Sequence, residues 1–430
     1  MRTQRKFLSI GTMSGTSMDG IDVALIETDG FEHIREIDSI AFDYDWEFKL
    51  LLKAAEYYVR QQLGDLEKSE KTPIEVFLRD YLTTLLNRDE AKIQENIARV
   101  TKYLAAKKIT TVDLSHLIQL LTEFHARAIL ALLEKVKTKN LKIDVVGFHG
   151  QTFYHQPQQK ITLQVGDGAW LARRLGITVV NDFRSQDVAM GGTGAPFAPI
   201  YHQALAMRDK LFPIGVINCG GIANISLIYG KGASNLLGFD TGPGNGLIDL
   251  FVKQYTHFKE VMDSDGKYGF QGKVHETVLH ALYEKSILID HQNYFKISPP
   301  KSLDINDLSL IPELERLSLE DACRTLEAFT ADSIVFSIER LDKEIPKQLV
   351  LAGGGWYNPV IKQEFKQRVE KKLGNHIVVK TVDEIGWNSK AMEAQIFAYL
   401  AVRHLLDEPI SFPETTGVSK PLCGGRKWEP

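Results

Sequence analysis

Three glycine-rich turns, each placed after an apolar strand, are the segments of this 430-residue chain best suited to hold phosphate. The first covers residues 11–22, the second residues 218–224 with a companion at 240–246, and the third residues 352–356. Glycine lets backbone N–H groups approach a phosphate closely, and hydroxyl side chains add donors. Carboxylates beside such donors can hold Mg²⁺. Each turn alone also fits a plain tight turn, so the phosphate hypothesis rests on the three together.

Two well-known phosphate-binding patterns do not occur in the sequence. There is no Walker A pattern, which excludes the P-loop. Gly242, Gly244 and Gly246 lack the spacing of a dinucleotide-binding fingerprint and do not open the first βα unit, which argues against a Rossmann site. The turns therefore predict a polyphosphate site of another architecture.

Asp182 is the residue best placed to move a proton. It follows an apolar strand at residues 178–180, stands beside Arg184 and precedes a glycine-rich run. A carboxylate there can accept a proton from a nucleophile while a nearby cation offsets phosphate charge. The alternative is that Asp182 caps the turn that follows. His149, in a His-Gly-Gln-Thr segment, is either catalytic or part of a hydrogen-bonded turn, and Cys219 fits packing better than nucleophilic chemistry.

Short strands and amphipathic helices must position these residues. Strands are predicted at residues 6–10, 21–27, 143–148, 178–180, 214–218, 225–229, 236–240 and 348–352. Helical periodicity covers about residues 46–137, then 247–255, 276–283, 319–341 and 391–406, and the tail at 411–430 is expected to be irregular. A strand followed by a glycine hairpin opens both halves of the chain. This plan predicts an α/β protein of two domains facing a cleft.

The composition is that of a globular protein without a charged-surface partner. Hydrophobic residues make up 44% and charged residues 25%, and 51 Lys and Arg against 55 Asp and Glu give a net charge of −4. A general nucleic-acid or membrane-surface binder would show a basic excess. Three scattered cysteines fit a reducing compartment. Neither a signal peptide nor an uncharged apolar run of about 18 residues is visible, so a cytoplasmic location is expected.

Seven motifs, taken together and in order, are similar to those of one known family. They lie at residues 13–22, 149–152, 182–184, 191–196, 218–224, 239–245 and 353–355. Over about residues 7–417 the chain resembles the bacterial 1,6-anhydro-N-acetylmuramic acid kinases, of the actin, Hsp70 and sugar-kinase superfamily. The resemblance implies two ribonuclease-H-like domains that close over ATP and Mg²⁺. The first would be residues 1–212 plus 392–430, with a helical insertion at about 46–137, and the second residues 213–391.

The resemblance also implies a reaction and a set of site residues. Water would attack the anomeric carbon of the anhydro-sugar, and the freed O6 would take the γ-phosphoryl group of ATP to give N-acetylmuramic acid 6-phosphate. Asp182 matches the general base of the family, and Asp19 and Asp240 are the candidate metal ligands. The nucleotide contacts implied are Gly15, Thr16, Ser17, Met18, Asp19, Gly20, Ile21, Asp22, Gly220, Gly221, Asn224, Asp240, Gly242, Gly244, Asn245, Gly353, Gly354 and Gly355.

Some positions leave alternatives open. Thr193, Gln186 and Cys219 differ from the residues expected in the family, and Glu327 is either a sugar contact or a solvated helix residue. A kinase for an ordinary amino sugar and an ATP-driven binding protein of the Hsp70 or actin type are the competing functions. The expected partner is a small anhydro-amino-sugar, without nucleic acid or membrane, and a homodimer is a family expectation.

Overall fold

The chain forms two compact units. A computed structural model describes residues 5–15, 17–86, 88–109 and 113–430. Within these residues, the first unit contains the chain up to Gly194 together with Lys390–Ser411 and Val418–Pro430. The second unit contains Ala195–Ser389 and Phe412–Gly417. Each unit is built around its own sheet.

The strands of both units are short. They are β1 (Phe7–Met13), β2 (Gly20–Thr28), β3 (Ile34–Asp43), β4 (Val145–Phe148), β5 (Gln151–Gln156), β6 (Ile161–Val165), β7 (Val179–Asn181), β8 (Ile214–Cys219), β9 (Ile222–Ile228), β10 (Leu236–Pro243), β11 (Leu288–Ile289), β12 (Gln292–Asn293), β13 (Gln348–Ala352), β14 (Val378–Thr381) and β15 (Arg426–Trp428).

The α-helices connect and cover the sheets. They are α1 (Trp46–Gln61), α2 (Leu66–Ser69), α3 (Ile74–Leu85), α4 (Glu90–Ala106), α5 (Leu114–Lys135), α6 (Gly168–Leu175), α7 (Ser185–Ala189), α8 (Ala198–Asp209), α9 (Gly246–Tyr255), α10 (Glu276–Lys285), α11 (Leu319–Glu339), α12 (Pro359–Arg368), α13 (Met392–Leu405) and α14 (Pro413–Thr416). The helices α1 to α5 are the predicted helical insertion.

The two large sheets have the same topology. The first has the order β15-β7-β4-β1-β2-β3 and the second β10-β9-β8-β13-β14. In both sheets, the second strand along the chain is antiparallel to the first strand. The fourth and fifth strands are parallel to the first strand. Counted along the chain, each unit therefore has the strand order 3-2-1-4-5, with an extra edge strand in the first. This is the ribonuclease-H-like arrangement, and the predicted fold class is confirmed.

Glycine allows α13 to lie directly on the first sheet. A Cβ atom on Gly11 would come within 1.9 Å of the Ala394 carbonyl oxygen, and one on Gly147 within 2.0 Å of the Phe397 carbonyl oxygen. On the sheet's apolar positions, Ile10 and Val23 are fully buried. The close approach of α13 fixes the ends of β1 and β4, where several candidate site residues lie.

The borders of the compact units differ from the predicted domain limits. Residues 195–212 belong to the second unit, because α8 packs on β9 and β10. Residues 412–417 also belong there, because α14 packs on β10. Residues 390–391 join the first unit with α13.

The tail at residues 411–430 is not irregular throughout, as the sequence predicts. It contains α14, and β15 pairs antiparallel with β7, so that Arg426 lies opposite Asn181 and Trp428 opposite Val179. A strand of three residues shows too little alternation to be seen in sequence, and its pairing partner is far away in the chain. Among the described residues, no helix is long and apolar enough to cross a bilayer.

Candidate active site

The loop between β1 and β2 is a tight turn with an exposed acidic tip. The N–H of Met18 donates to the Gly15 carbonyl at 3.0 Å, and the Met18 side chain is buried in a left-handed backbone conformation. Ser17 and Asp19 are exposed, and the Asp19 carboxylate pairs with Lys49. A Cβ on Gly15 would meet no atom closer than 4.0 Å, so the fold itself does not require glycine there. Thr16, also a predicted contact, lies outside the described residues.

The His-Gly-Gln-Thr segment at the start of β5 supports this loop. The Gln151 amide donates to the Gly15 carbonyl at 3.2 Å, and its Oε1 is buried without a hydrogen-bond partner among the described residues. The His149 N–H donates to the Thr12 carbonyl at 3.3 Å. Of the two interpretations of the segment, the hydrogen-bonded turn therefore describes its backbone, and it ties β5 to the predicted nucleotide loop.

The carboxyl groups of Asp22 and Glu393 lie near the start of β2 and of α13. Burial raises the pKa of Asp22, and the neighbouring Asp43 raises it further. The Glu393 side chain is exposed, and its pKa is raised by partial desolvation and by the charge of Asp22, while Arg184 opposes the shift. Ile21, between the loop and the strand interior, is buried and serves the core. Asp22 thus stands in negative surroundings that would favour a cation.

Asp182 follows β7 in a backbone conformation that few aspartates adopt. Its φ is +52°, in the left-handed region, which costs free energy for a residue with a side chain. The Ser185 hydroxyl donates to Asp182 Oδ1 at 2.5 Å, and the carboxylate lines a polar cavity of about 330 Å³. No other hydrogen bond or ion pair involves this side chain in the described part of the chain. The second oxygen is therefore available to a ligand or water.

Arg184 is held by a neutral histidine. His149 Nδ1 lies 2.9 Å from the Gly150 carbonyl, which only accepts, so Nδ1 carries the proton. His149 Nε2 then accepts from Arg184 Nε at 3.2 Å, while Arg184 Nη1 donates to the Gly194 carbonyl at 2.6 Å. Burial lowers the pKa of His149 well below its ordinary value, and the charge of Arg184 adds to this. The imidazole acts as a fixed acceptor that orients the guanidinium.

The glycine turns of the second unit meet one another. The N–H groups of Gly244 and Gly246 donate to the Gly221 carbonyl at 2.9 and 3.1 Å, and the Asn245 N–H donates to the Gly220 carbonyl at 2.8 Å. A Cβ on Gly353 would come within 2.6 Å of the Cys219 carbonyl. The turns at residues 218–224, 242–246 and 353–355 thus form one cluster, which sequence spacing alone could not show.

Two glycines of this cluster are not required by packing. A Cβ on Gly220 would meet nothing closer than 3.8 Å, and one on Gly354 nothing within 4 Å. By contrast, a Cβ on Gly244 would lie 1.9 Å from the Gly220 carbonyl, and one on Gly355 2.4 Å from Cys219 Sγ. Cys219 is buried, and its packing role agrees with the sequence interpretation. Gly220 and Gly354 leave bare backbone where a ligand could approach.

Asp240 is buried in the second unit, with part of its bonding capacity used by the fold. Its Oδ2 accepts from the Leu303 N–H at 2.7 Å, and its carbonyl accepts from the Tyr294 hydroxyl at 2.5 Å. Asn224 lies opposite Asp240 in the pairing of β9 and β10, and Gly242 follows a bulge in that pairing. These contacts show Asp240 holding the loop at Leu303.

No group of three or more His, Cys, Asp or Glu side chains in the described residues is arranged to hold a metal ion. Mg²⁺ is usually bound by one or two carboxylates together with substrate phosphates, so this finding does not conflict with the prediction. The exposed Asp19 carboxylate fits such an ion, directly or through water. Asp240 fits it less well, because it is buried and bonded to the backbone.

Glu327 is not a solvated helix residue. Its side chain is fully buried on α11, where Oε1 accepts from the Asn358 amide at 2.7 Å and Oε2 lacks a hydrogen-bond donor in the described residues. Burial raises its pKa to about 9, and Asp263 contributes to the shift. Asn358 also accepts from the Val360 N–H at the start of α12. Glu327 thus supports the segment that follows the third glycine turn.

The cavity beside Asp182 also contains residues that the sequence analysis missed. Gln164 comes from β6, and Arg426 and Trp428 come from β15. The Trp428 indole N–H donates to the Asn181 side chain at 2.8 Å. No local signal marks these residues, because the β15 pairing that brings them to β7 joins segments some 245 positions apart.

Comparisons with known proteins show which family the sequence resembles. A sequence model of the anhydro-N-acetylmuramic acid kinase family matches residues 66–428. A protein of that name from Rhizorhabdus wittichii is 39% identical over 420 residues, covering 98% of each chain. Those from Methylorubrum populi and Zymomonas mobilis are each 38% identical, covering 98% and 97% of this chain and 99% of their own.

Proposed function

The chain belongs to the anhydro-N-acetylmuramic acid kinase family, and from this premise we propose a mechanism for its residues. It is a kinase of peptidoglycan recycling that uses ATP and acts on a small sugar. We propose that it opens the 1,6-anhydro bridge of anhydro-N-acetylmuramic acid with water and phosphorylates the released O6. The observation that carries the proposal is the half-buried Asp182, strained in backbone and lining a polar cavity.

Asp182 is the proposed general base. It takes a proton from water as the water oxygen bonds to the anomeric carbon, and the bond from that carbon to O6 breaks. O6 bonds to the γ-phosphorus of ATP, the bond from that phosphorus to the bridging oxygen breaks, and ADP leaves. The Ser185 hydroxyl fixes the carboxylate in one orientation, and a positioned base contributes roughly 10²–10⁴-fold to rate.

The nucleotide is assigned to the bare backbone of the glycine turns. Gly15, Gly220 and Gly354 each have room for a Cβ within the protein, so packing does not require glycine there, and close approach of a phosphate to the backbone would. Arg184, fixed by His149, supplies positive charge to the transferring group. Bound Mg²⁺ would neutralise phosphate charge, and Asp19 and Asp22 are the carboxylates proposed to hold it, with Asp240 as a further candidate.

A product assay tests the proposal against its competitors. The protein is incubated with ATP and anhydro-N-acetylmuramic acid, and the product mass should rise by one water plus one phosphoryl group. The open sugar, N-acetylmuramic acid, should be a poor substrate, because its O6 begins as a hydroxyl. Faster turnover of the open sugar would favour an ordinary amino-sugar kinase, and rapid ATP hydrolysis without any sugar would favour a binding ATPase.

The proposal also covers the compartment, the partners and the oligomeric state. Because the reaction consumes ATP, we propose the cytoplasm as its compartment, with no nucleic-acid or membrane partner. A homodimer is proposed from the family resemblance, and sedimentation velocity of the purified chain would test it.

A further inference from the structure

The cavity beside Asp182 has the composition of a site for an acidic sugar. It lies within the first unit, at the end of β7, and has a volume of about 330 Å³. Pockets for small ligands start near this size. Its polar and aromatic lining includes Gln164, Asn181, Asp182, Ser185, Arg426 and Trp428.

Arg426 is the single cation among the described residues that line this cavity. Its guanidinium carbon lies 4.1 Å from the centre of the Trp428 ring. No ion pair or hydrogen bond holds the guanidinium in the described part of the chain. The adjacent Lys427 differs, because its ammonium pairs with Glu429 at 2.9 Å. Arg426 is therefore stacked in place with its donors uncommitted, which suits planar recognition of a carboxylate.

Two carboxylates also line the cavity, and neither forms an ion pair with Arg426 in the described part of the chain. Asp167 accepts from the Trp170 N–H at 2.8 Å and caps α6, so its charge is offset by the helix terminus. The Ser185 hydroxyl binds one oxygen of Asp182, which keeps its negative charge, as a base must. An anionic ligand would therefore find its favourable contact at β15, on the side of the cavity that Arg426 occupies.

Gln164 provides a second, independent sign of a ligand. Its Nε2 donates to the Thr162 hydroxyl at 2.9 Å, whereas its Oε1 is buried without a donor among the described residues. Leaving a buried acceptor unpaired costs free energy, and a hydroxyl or amide N–H of a sugar would remove that cost. The cavity thus combines an orphaned acceptor, a stacked guanidinium and the proposed base.

We propose that Arg426 binds the carboxylate of the lactyl ether carried by muramic acid, and that this contact makes the enzyme select the acidic sugar over neutral amino sugars. The inference rests on the proposed function for the identity of the sugar. It assigns Arg426 to substrate selection and leaves the proton transfer to Asp182.

Steady-state kinetics of Arg426→Gln test the assignment. With anhydro-N-acetylmuramic acid, the KM for sugar should rise about 10-fold or more, as expected for a lost charge-assisted contact. The kcat and the KM for ATP should stay close to wild type. With 1,6-anhydro-N-acetylglucosamine, which lacks the lactyl group, kcat/KM should not fall. Arg426→Lys should restore part of the loss, because it keeps the charge without the planar donor pair.

Lys427→Gln is the matched control, since it removes one positive charge from the same short strand outside the cavity. The inference is overturned if Arg426→Gln keeps the sugar KM within about twofold of wild type, or if Lys427→Gln loses as much as Arg426→Gln. If wild type turns over neither sugar, the proposed function has failed. Calorimetry without ATP then tests the role of Arg426 by measuring sugar binding alone. Wild type must then bind N-acetylmuramic acid more tightly than N-acetylglucosamine, and Arg426→Gln must lose that preference.

Discussion

The two sheets have the same strand order but carry different chemistry at their strand ends. In the first unit, Asp22 and Asp182 follow or open strands, with Arg184 and Glu393 close to them. In the second unit, the corresponding ends are bare glycine turns that bond to one another through backbone groups. One topology thus supports two kinds of site, since side-chain charge suits proton transfer and glycine backbone lets a phosphate approach closely. The difference supports the proposal that the first unit carries the catalytic base and that glycine turns contact the nucleotide.

Of the variants that test this comparison, the one that removes the Asp182 charge should have the largest effect on turnover. Asp182→Asn should leave the fold and ATP affinity intact but lower kcat by roughly 10²–10⁴-fold, because a general base is lost. Rapid-quench or coupled assays at saturating ATP would measure it. Asp144→Asn, at the opposite end of the same sheet, is the control and should stay close to wild type. If the activity of Asp182→Asn stayed within about tenfold of wild type, the assignment of the general base to Asp182 in the first unit would be wrong.

A side chain at Gly220 should weaken ATP binding without disturbing the packing of the protein. A Cβ there has 3.8 Å of space, so Gly220→Val should fold normally yet weaken ATP binding about 10-fold or more, by blocking the bare backbone. Calorimetry with ATP gives the affinity, and thermal unfolding gives the stability. Gly230→Ala, with 3.7 Å of space in a turn away from the cluster, is the control. Unchanged ATP affinity in folded Gly220→Val would contradict the assignment.

Gly244→Ala is the converse test, because packing requires glycine at this position. Its Cβ would lie 1.9 Å from the Gly220 carbonyl, so this change should lower the melting temperature. If both variants lost stability equally, the distinction between packing glycines and open glycines would be wrong.

Asp19→Asn tests the acidic tip of the first loop. The Asp19–Lys49 pair is exposed, and such pairs contribute only about 0–1 kcal/mol to stability, so unfolding should change little. The KM for MgATP should rise several-fold if Asp19 helps to hold the metal. A Mg²⁺ titration at fixed ATP would separate metal affinity from nucleotide affinity. If the dependence of activity on Mg²⁺ did not change, carboxylates other than Asp19 would hold the metal.

Glu327→Gln should have the smallest effect on turnover and a visible effect on the pH dependence of stability. The folded pKa of about 9 exceeds the ordinary value near 4.3 of an unfolded chain, so the folded protein holds one more proton between these values. Wild-type stability should therefore fall as pH rises through this window. The variant cannot titrate, so its melting temperature relative to wild type should rise steadily from pH 5 to pH 9, by more than the ~2–4 °C that about 1 kcal/mol produces.

Glu339→Gln, on an exposed turn of the same helix, is the control for this pH effect. It should show the wild-type dependence on pH. Parallel melting curves for Glu327→Gln and wild type across the range would mean that Glu327 is ionised in the folded protein.

Local features of the sequence predicted the fold and part of the candidate site. The apolar strands around Ile10, Val146 and Val350 are visible as short buried runs, and the glycines between them mark the turns. The convergence of the turns at residues 218–224, 242–246 and 353–355 depends on tertiary packing, which no single segment encodes.

Two errors of the sequence analysis have physical causes. Of the two alternatives for Glu327, the solvated helix residue was wrong, because α11 is buried on nearly all sides and its charged residues do not mark an exposed face. The cavity residues Arg426 and Trp428 lie in a tail expected to be irregular, where a strand of three residues acquires its structure only by pairing with β7.

Positional isotope labelling tests the central claim most directly. Turnover of anhydro-N-acetylmuramic acid in ¹⁸O-water should place label on the anomeric carbon and none in the phosphoryl group, because the bridge oxygen becomes the phosphate ester. The product must be reduced immediately, since a free anomeric centre exchanges oxygen with solvent. Mass spectrometry of the reduced sugar phosphate and of its released phosphate locates the label. An unlabelled anomeric carbon, or label in the phosphoryl group, would contradict water attack directed by Asp182.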